Sequence, residues 1–329
     1  MAGRGRRPLA DIAALEAGAP EAGAPEAAAP EASGGRVPLG VWLILAAGLA
    51  TLGASAILIR LAGVEGAADP RVLVLWRLAF TCAILLPVGL RGAARAELAR
   101  RPRRDLALVA AAGVLLGLHF QGWFASLAFT SVASATVLVT MGPLFIAVLG
   151  VAFLRERPRA ATWAAIASGV TGAALIALGD RGDGQFPQAA LGNALAFGAA
   201  LCIAVYLLLG RSVRQRLAWG AFFLPINVAA LGVAVVVAVG SGVPLAVDLP
   251  TLGLCLAMAL GPGLLGHGAL SYSVRYVPAA TVGLLTLAEP VVSAGLAWAL
   301  FKEAPTPLAA AGMVVVLGAL AAVLRGRDA

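Results

Sequence analysis

Charge is scarce in this chain. Only 12% of its 329 residues are charged and 61% are hydrophobic, giving a mean hydropathy of +0.94, where a soluble domain carries about 25% charged residues. So few charges exclude a water-facing surface wrapped around one core. Lysine is almost missing, Lys302 being the only one among 24 cations. Cysteine is equally thin: Cys82, Cys202 and Cys255 lie far apart inside apolar runs, which excludes a disulfide framework or a paired-thiol metal or redox motif and leaves packing as their role. The two histidines, His119 and His267, fall in different runs, so no H-E-x-x-H metal motif exists and neither a metal nor a cofactor is expected. An intramembrane enzyme would need convergent ligands or two close carboxylates, and none are present. The net charge of +8 does not mark a nucleic-acid face, because such a face clusters its cations on one element among aromatics. Here they stand singly or in short runs between apolar stretches.

What the chain has is long apolar runs. A lipid-spanning helix needs about 20 apolar residues, and uncharged runs cover 37–59, 106–154, 160–179, 184–210, 217–247, 249–274 and 304–324. The run 106–154 is long enough for two helices, breaking near Thr130 and Ser131, and two further spans each carry one charge: 72–90 with Arg77 and 277–301 with Glu289. The reading is an all-α polytopic membrane protein of ten transmembrane helices, with the lipid bilayer as its first partner. Residues 1–36 stand apart, with EAGAP at 16–20 and 21–25 and EAAAP at 26–30. Regular proline and little apolar bulk predict a disordered Ala/Pro/Glu-rich tail, dispensable for folding, and not a secretory signal.

Orientation follows from the loops, since short cytoplasmic loops are enriched in Lys and Arg. With the N-terminus inside, segments 1–36, 91–104, 155–159, 211–216, 275 and 325–327 hold nineteen of the 24 cations, and the outer side keeps Arg60, Arg71, Arg181 and Lys302. Both termini are therefore expected in the cytoplasm. The richness in Ala, Gly and Arg suits a GC-rich bacterial gene, and hence a multi-pass protein of the inner or plasma membrane.

The two halves repeat one another. Val132–Pro158 and Val277–Pro305 share an ATV triplet, a proline within the helix and a closing E-x-P, pairing Pro143 with Pro290, Glu156 with Glu303 and Pro158 with Pro305. Each half has five spans, an odd number, so the second enters the bilayer from the opposite side, as in the inverted repeats of many secondary transporters. These residues, with Trp76-Arg77 early in the second span, resemble the drug/metabolite transporter superfamily, EamA type. The resemblance implies two five-helix repeats, at 37–180 and 188–325, around a central cavity. It also implies a role in moving small metabolites such as amino acids or drugs, usually outward. Coupling leaves no residue signature, so a passive facilitator or a lipid scramblase stays open beside alternating access. Substrate, coupling ion and oligomeric state are not encoded in these motifs.

Candidate site residues are the polar groups inside spans. Glu289 is the one deep carboxylate; charges there are costly and face a cavity or a partner. Thr286 and Ser293 share its face at i−3 and i+4, and Thr136 and Thr140 form the corresponding stripe in the first half. Substrate binding, proton carriage and structural bonding are all compatible with Glu289. His119 and Trp123, at i and i+4, share a face. Arg77 lies about two turns from the outer end of its span, close enough to snorkel, to lock two helices or to meet a substrate carboxylate. Pro143, Pro262 and Pro290 are candidate helix breaks, and Gly261 and Gly263 flank the middle one in a segment ranked above His267. Asn193 and Asn227 are expected to bond between helices, and Gly113 with Gly117 to allow close packing.

Overall fold

The computed structural model describes residues 37–64, 68–154, 160–180, 184–214, 217, 219–273, 285–286 and 288–326. The Ala/Pro tail, the first E-x-P motif and the second ATV triplet lie outside the described residues. Within them are thirteen α-helices and one π-helical segment: α1 Leu39–Val64, α2 Pro70–Gly89, α3 Gly92–Ala99, α4 Arg103–Phe129, α5 Val132–Val139, α6 Gly142–Leu154, α7 Ala160–Asp180, α8 Ala189–Arg214, α9 Trp219–Gly240, α10 Leu249–Met258, the π segment Ala259–Gly266, α11 His267–Ser273, α12 Ala288–Phe301 and α13 Pro307–Gly326. Among the described residues, seven helices are long and apolar enough to cross a membrane, with three shorter apolar helices at Val132–Ile146, Ala288–Phe301 and Pro307–Ala322. Large apolar side chains such as Val236, Leu249, Trp298 and Val314 point outward, each more than half exposed. In water that belt would be a liability; against lipid it is the ordinary surface.

Local chemistry sets the helix ends. Asp69 caps α2 by accepting from the Arg71 amide at 2.9 Å, with Pro70 at the first helical position, where its missing N–H costs nothing. Thr130 ends α4 in extended conformation and Ser131 caps α5, accepting from the Ser134 amide at 3.1 Å. The expected break at Thr130 and Ser131 is where the chain turns. The next span divides at the candidate break: α5 stops at Val139 and α6 starts at Gly142. Pro143 accounts for this, because its ring clashes with the carbonyl four residues back, which belongs to Val139. Pro262 acts likewise on the carbonyl of Met258, the last residue of α10. There the helix widens into a π turn and stays helical, rather than unwinding as the sequence suggested. Pro290 is the third described residue of α12, and Leu287 just before that helix lies outside the described residues.

The packing is two-fold in pattern. α1 packs on α12 as α5 packs on α8; the π segment packs on α1 as α4 packs on α8; α10 packs on α2 as α9 packs on α4; and α2 with α9, and α7 with α13, pair across the exchange. Glycine permits the closest approaches. A Cβ on Gly172 of α7 would stand 2.7 Å from the Gly312 carbonyl, and one on Gly312 of α13 would stand 2.6 Å from the Gly172 carbonyl. Gly113 and Gly117 serve α4 against α9 in the same way, at 2.6 Å from the Ile226 carbonyl and 3.0 Å from that of Ala230.

Candidate functional site

Between the two sets of helices lies a cavity of about 380 Å³, within the size range of small-molecule sites. α1 contributes Leu52 and Ser55, α2 Arg77, Thr81 and Leu85, α4 His119, Phe120 and Trp123, and the α5 end Val139 and Thr140. The second half contributes Ile203, Tyr206 and Leu207 from α8, Phe223 and Asn227 from α9, Pro262, Gly263 and Leu264 from the π segment, then His267 and Glu289. Leu85 precedes the arginine-rich 91–104 segment, and Phe223 follows Arg216. The cavity therefore reaches toward the helix ends that carry the basic loops on α2 and α9, while Trp123 lies six residues from the opposite end of α4.

Arg77 does not snorkel. It is 4% exposed, and its guanidinium carbon lies 4.1 Å from the centroid of the Phe120 ring and 5.5 Å from that of Phe124. Cation–π attraction strengthens when both partners are desolvated, to about 2 kcal/mol. His119 donates from Nδ1 to the Ala199 carbonyl at 3.0 Å, which leaves Nε2 as an acceptor in the neutral ring. Its ring stacks on Trp123 at 6.1 Å. Glu289 and Arg77 share the cavity wall, yet among the described residues neither is within ion-pair distance of an opposite charge.

The cavity thus gathers Glu289, Thr140, His119, Trp123, Arg77, Pro262 and Gly263 from the residues singled out in the sequence, and it includes His267, which the sequence ranks below its neighbours. Gly261 adjoins the wall without lining it. Ser293 and Thr136 turn elsewhere: Ser293 donates to the Gly53 carbonyl at 2.7 Å, tying α12 to α1, and Thr136 donates to the Val132 carbonyl at 2.6 Å within α5. Thr286 is half-buried and off the wall. Asn227 donates to the Phe223 carbonyl at 2.9 Å within its own helix, so its bond is not the interhelical one expected, and its amide faces the cavity. Ser55, Tyr206 and Thr81 also line the cavity, and the sequence does not single them out. A lone hydroxyl in an apolar run carries no signal of which face it takes.

A second polar cluster sits at the opposite end of the bundle. Arg60, expected in an outer loop, lies inside α1 and is 7% exposed. Its Nε is 3.2 Å from Oε1 of Glu303, and its Nη2 donates to Glu303 Oε2 at 3.3 Å and to the Thr130 carbonyl at 2.7 Å. Glu303 Oε2 also accepts from the Val132 amide at 3.0 Å. Next to it, Thr130 Oγ1 donates to Asn193 Oδ1 at 2.9 Å, Asn193 Nδ2 donates to Asp180 Oδ2 at 2.7 Å, and Ser134 Oγ donates to Asp180 Oδ1 at 3.2 Å. The expectation that Asn193 bonds between helices holds. Arg60 to Glu303 and Thr130 to Asn193 each join the first set of helices to the second.

Residues 38–178 and 190–325 each match the EamA-like transporter family. The chain belongs to that family, within the drug/metabolite transporter superfamily, and is a membrane transporter by class. Among solved structures, one crystal structure of a protein is similar at a TM-score of 0.59 and 21% identity, over 87% of this chain and 97% of that one, which supports the fold. A search of curated proteins gave no match.

Proposed function

We propose that this chain is a secondary transporter that crosses the bilayer ten times as two inverted five-helix repeats. It carries small metabolites through the central cavity by alternating access, in the outward direction, across the inner or plasma membrane of a bacterium. Both termini are cytoplasmic. The observation behind the reading is the pairing of a cavity toward the basic-loop side with a buried ionic cluster at the other end. A buried ionic cluster across one end, with a solute space that reaches toward the other, is what an inward-facing carrier requires. Thr140, His119, Trp123, Arg77, Gly263 and Glu289 are the wall residues assigned to substrate. Glu289, with no ion-pair partner among the described residues, is the group assigned to a substrate amine or a proton.

Protein reconstituted in liposomes loaded with a mixture of amino acids, sugars, nucleosides and amphiphilic drugs tests the reading by release of each solute with and without a pH gradient. Accumulation of one solute against its own gradient supports a coupled carrier. Strictly downhill flux of that solute replaces it with a facilitator, and lipid flip without solute flux replaces it with a scramblase.

A further inference from the structure

Three side chains in the cavity wall carry hydrogen-bond donors that no described residue accepts. They are Nη1 of Arg77, Nε1 of Trp123 and Oγ of Ser55. Each residue is more than nine-tenths buried, at 4%, 6% and 2% exposure. Buried polar atoms are paired in the great majority of cases, and each exception calls for a physical reason. Two of these atoms can only donate, so what satisfies them must be an acceptor. The three come from α2, α4 and α1. Arg77 and Trp123 meet at Phe124, whose ring centroid is 5.8 Å from that of Trp123 and 5.5 Å from the Arg77 guanidinium carbon. The cation is held by ring faces that leave Nη1 free and supply no acceptor oxygen. A planar guanidinium with an uncommitted nitrogen suits a planar oxyanion.

We infer that Arg77, Trp123 and Ser55 form an anion subsite, and that the transported solute bears a carboxylate docked there. This rests on the carrier reading above. Leu52, Leu78 and Leu116 line the same cavity, so a monocarboxylate with a small apolar body fits better than a polyanion. Glu289 lines the same cavity and is not counted in the subsite.

The test uses full-length protein in lipid-free detergent, with affinities from ligand-induced thermal stabilisation. The probes are matched sets built on two side chains: leucine and phenylalanine, their amides, which lose the carboxylate, and isocaproate and hydrocinnamate, which lose the amine. At least one carboxylate probe should stabilise the protein, and its amide should not. R77Q should weaken that probe by about tenfold or more, and W123F, which keeps the ring and loses the N–H, by about two- to tenfold. If R77Q does not fold, W123F and S55A carry the comparison. Stabilisation by amides as strongly as by acids, no stabilisation by any acid, or acid affinities unchanged in W123F and S55A overturns the subsite. So does stabilisation by phosphatidylglycerol in nanodiscs with none by dissolved acids, which would make the anion a lipid phosphate. Coupled flux of an amide or amine in liposomes alongside a failed subsite leaves the carrier reading standing. Absence of solute flux of any kind removes the carrier reading itself.

Discussion

Replacing Glu303 by alanine probes the closed end of the bundle. The carboxylate makes two contacts with Arg60 and one with the Val132 amide, at 3.0 to 3.3 Å. Without it, Arg60 keeps the Thr130 carbonyl at 2.7 Å but loses its counter-charge, and Val132 N–H is left unpaired. Removing one member of a buried ion pair costs about 3–5 kcal/mol, while single hydrogen bonds between membrane helices average about 0.6 kcal/mol. Because the guanidinium keeps one acceptor and a Phe186 ring 5.2 Å away, the lower figure applies, about 3 kcal/mol, or roughly a hundredfold in an equilibrium. If the cluster holds this end shut, that amount comes off the closed state. The assay is labelling of L52C, at the cavity wall, by a membrane-impermeant maleimide applied to intact cells, with Cys82, Cys202 and Cys255 replaced by alanine. E303A should label about tenfold faster or more, and E303Q should fall between it and the parent. E97Q removes a surface pair, Glu97 with Arg101 at 3.1 Å, and should change nothing, since such pairs contribute about 0–1 kcal/mol. Equal labelling in E303A and the parent, with both folded, refutes the reasoning.

Enlarging Gly312 to valine should destabilise the detergent-purified protein by about 1–3 kcal/mol or more, because its Cβ would meet the Gly172 carbonyl at 2.6 Å; an unchanged melting temperature would mean α7 and α13 can separate. E289Q keeps the shape of the side chain and removes its charge. Transport by this variant should fall and lose the parent's pH dependence while the melting temperature holds, and a normal pH profile at full rate removes Glu289 from the mechanism. For topology, a periplasmic phosphatase fused after Leu324 should be silent and one fused after Gly182 active, and the reverse pattern sinks the orientation.

How much of the fold and the site is legible in the sequence depends on the range of the interaction. Span positions, the turn at Thr130 and Ser131, and the joint at Pro143 are local matters of hydropathy, capping and ring sterics, and they can be read from the chain. His119 and Trp123 can be paired because i and i+4 share a helix face. The fate of Arg77 cannot, since snorkelling and burial are equally open until Phe120 and Phe124 are placed against it. Arg60 and Glu303 are separated by 243 positions, and Glu303 reads as part of a repeated motif rather than half of an ion pair. Ser293 and Thr136 fall on plausible faces, but a face chosen by spacing says nothing about which neighbour it meets.

The π turn at Ala259–Gly266 sets the bearing of the helix that comes after it. A helix bonded i to i+5 rotates less per residue than one bonded i to i+4, so this stretch delivers His267 to a different direction around the axis than an uninterrupted α-helix would. His267 lines the cavity, and the under-rotated backbone upstream sets the direction from which it does so. Tightening the stretch to α geometry without changing its length would swing the whole of α11 around its axis, whereas deleting one residue as it tightens should leave α11 close to its present bearing, because the wider turn absorbs about one residue. The register of His267 with the cavity is therefore held by the width of the turn before it and not only by the residue at the position.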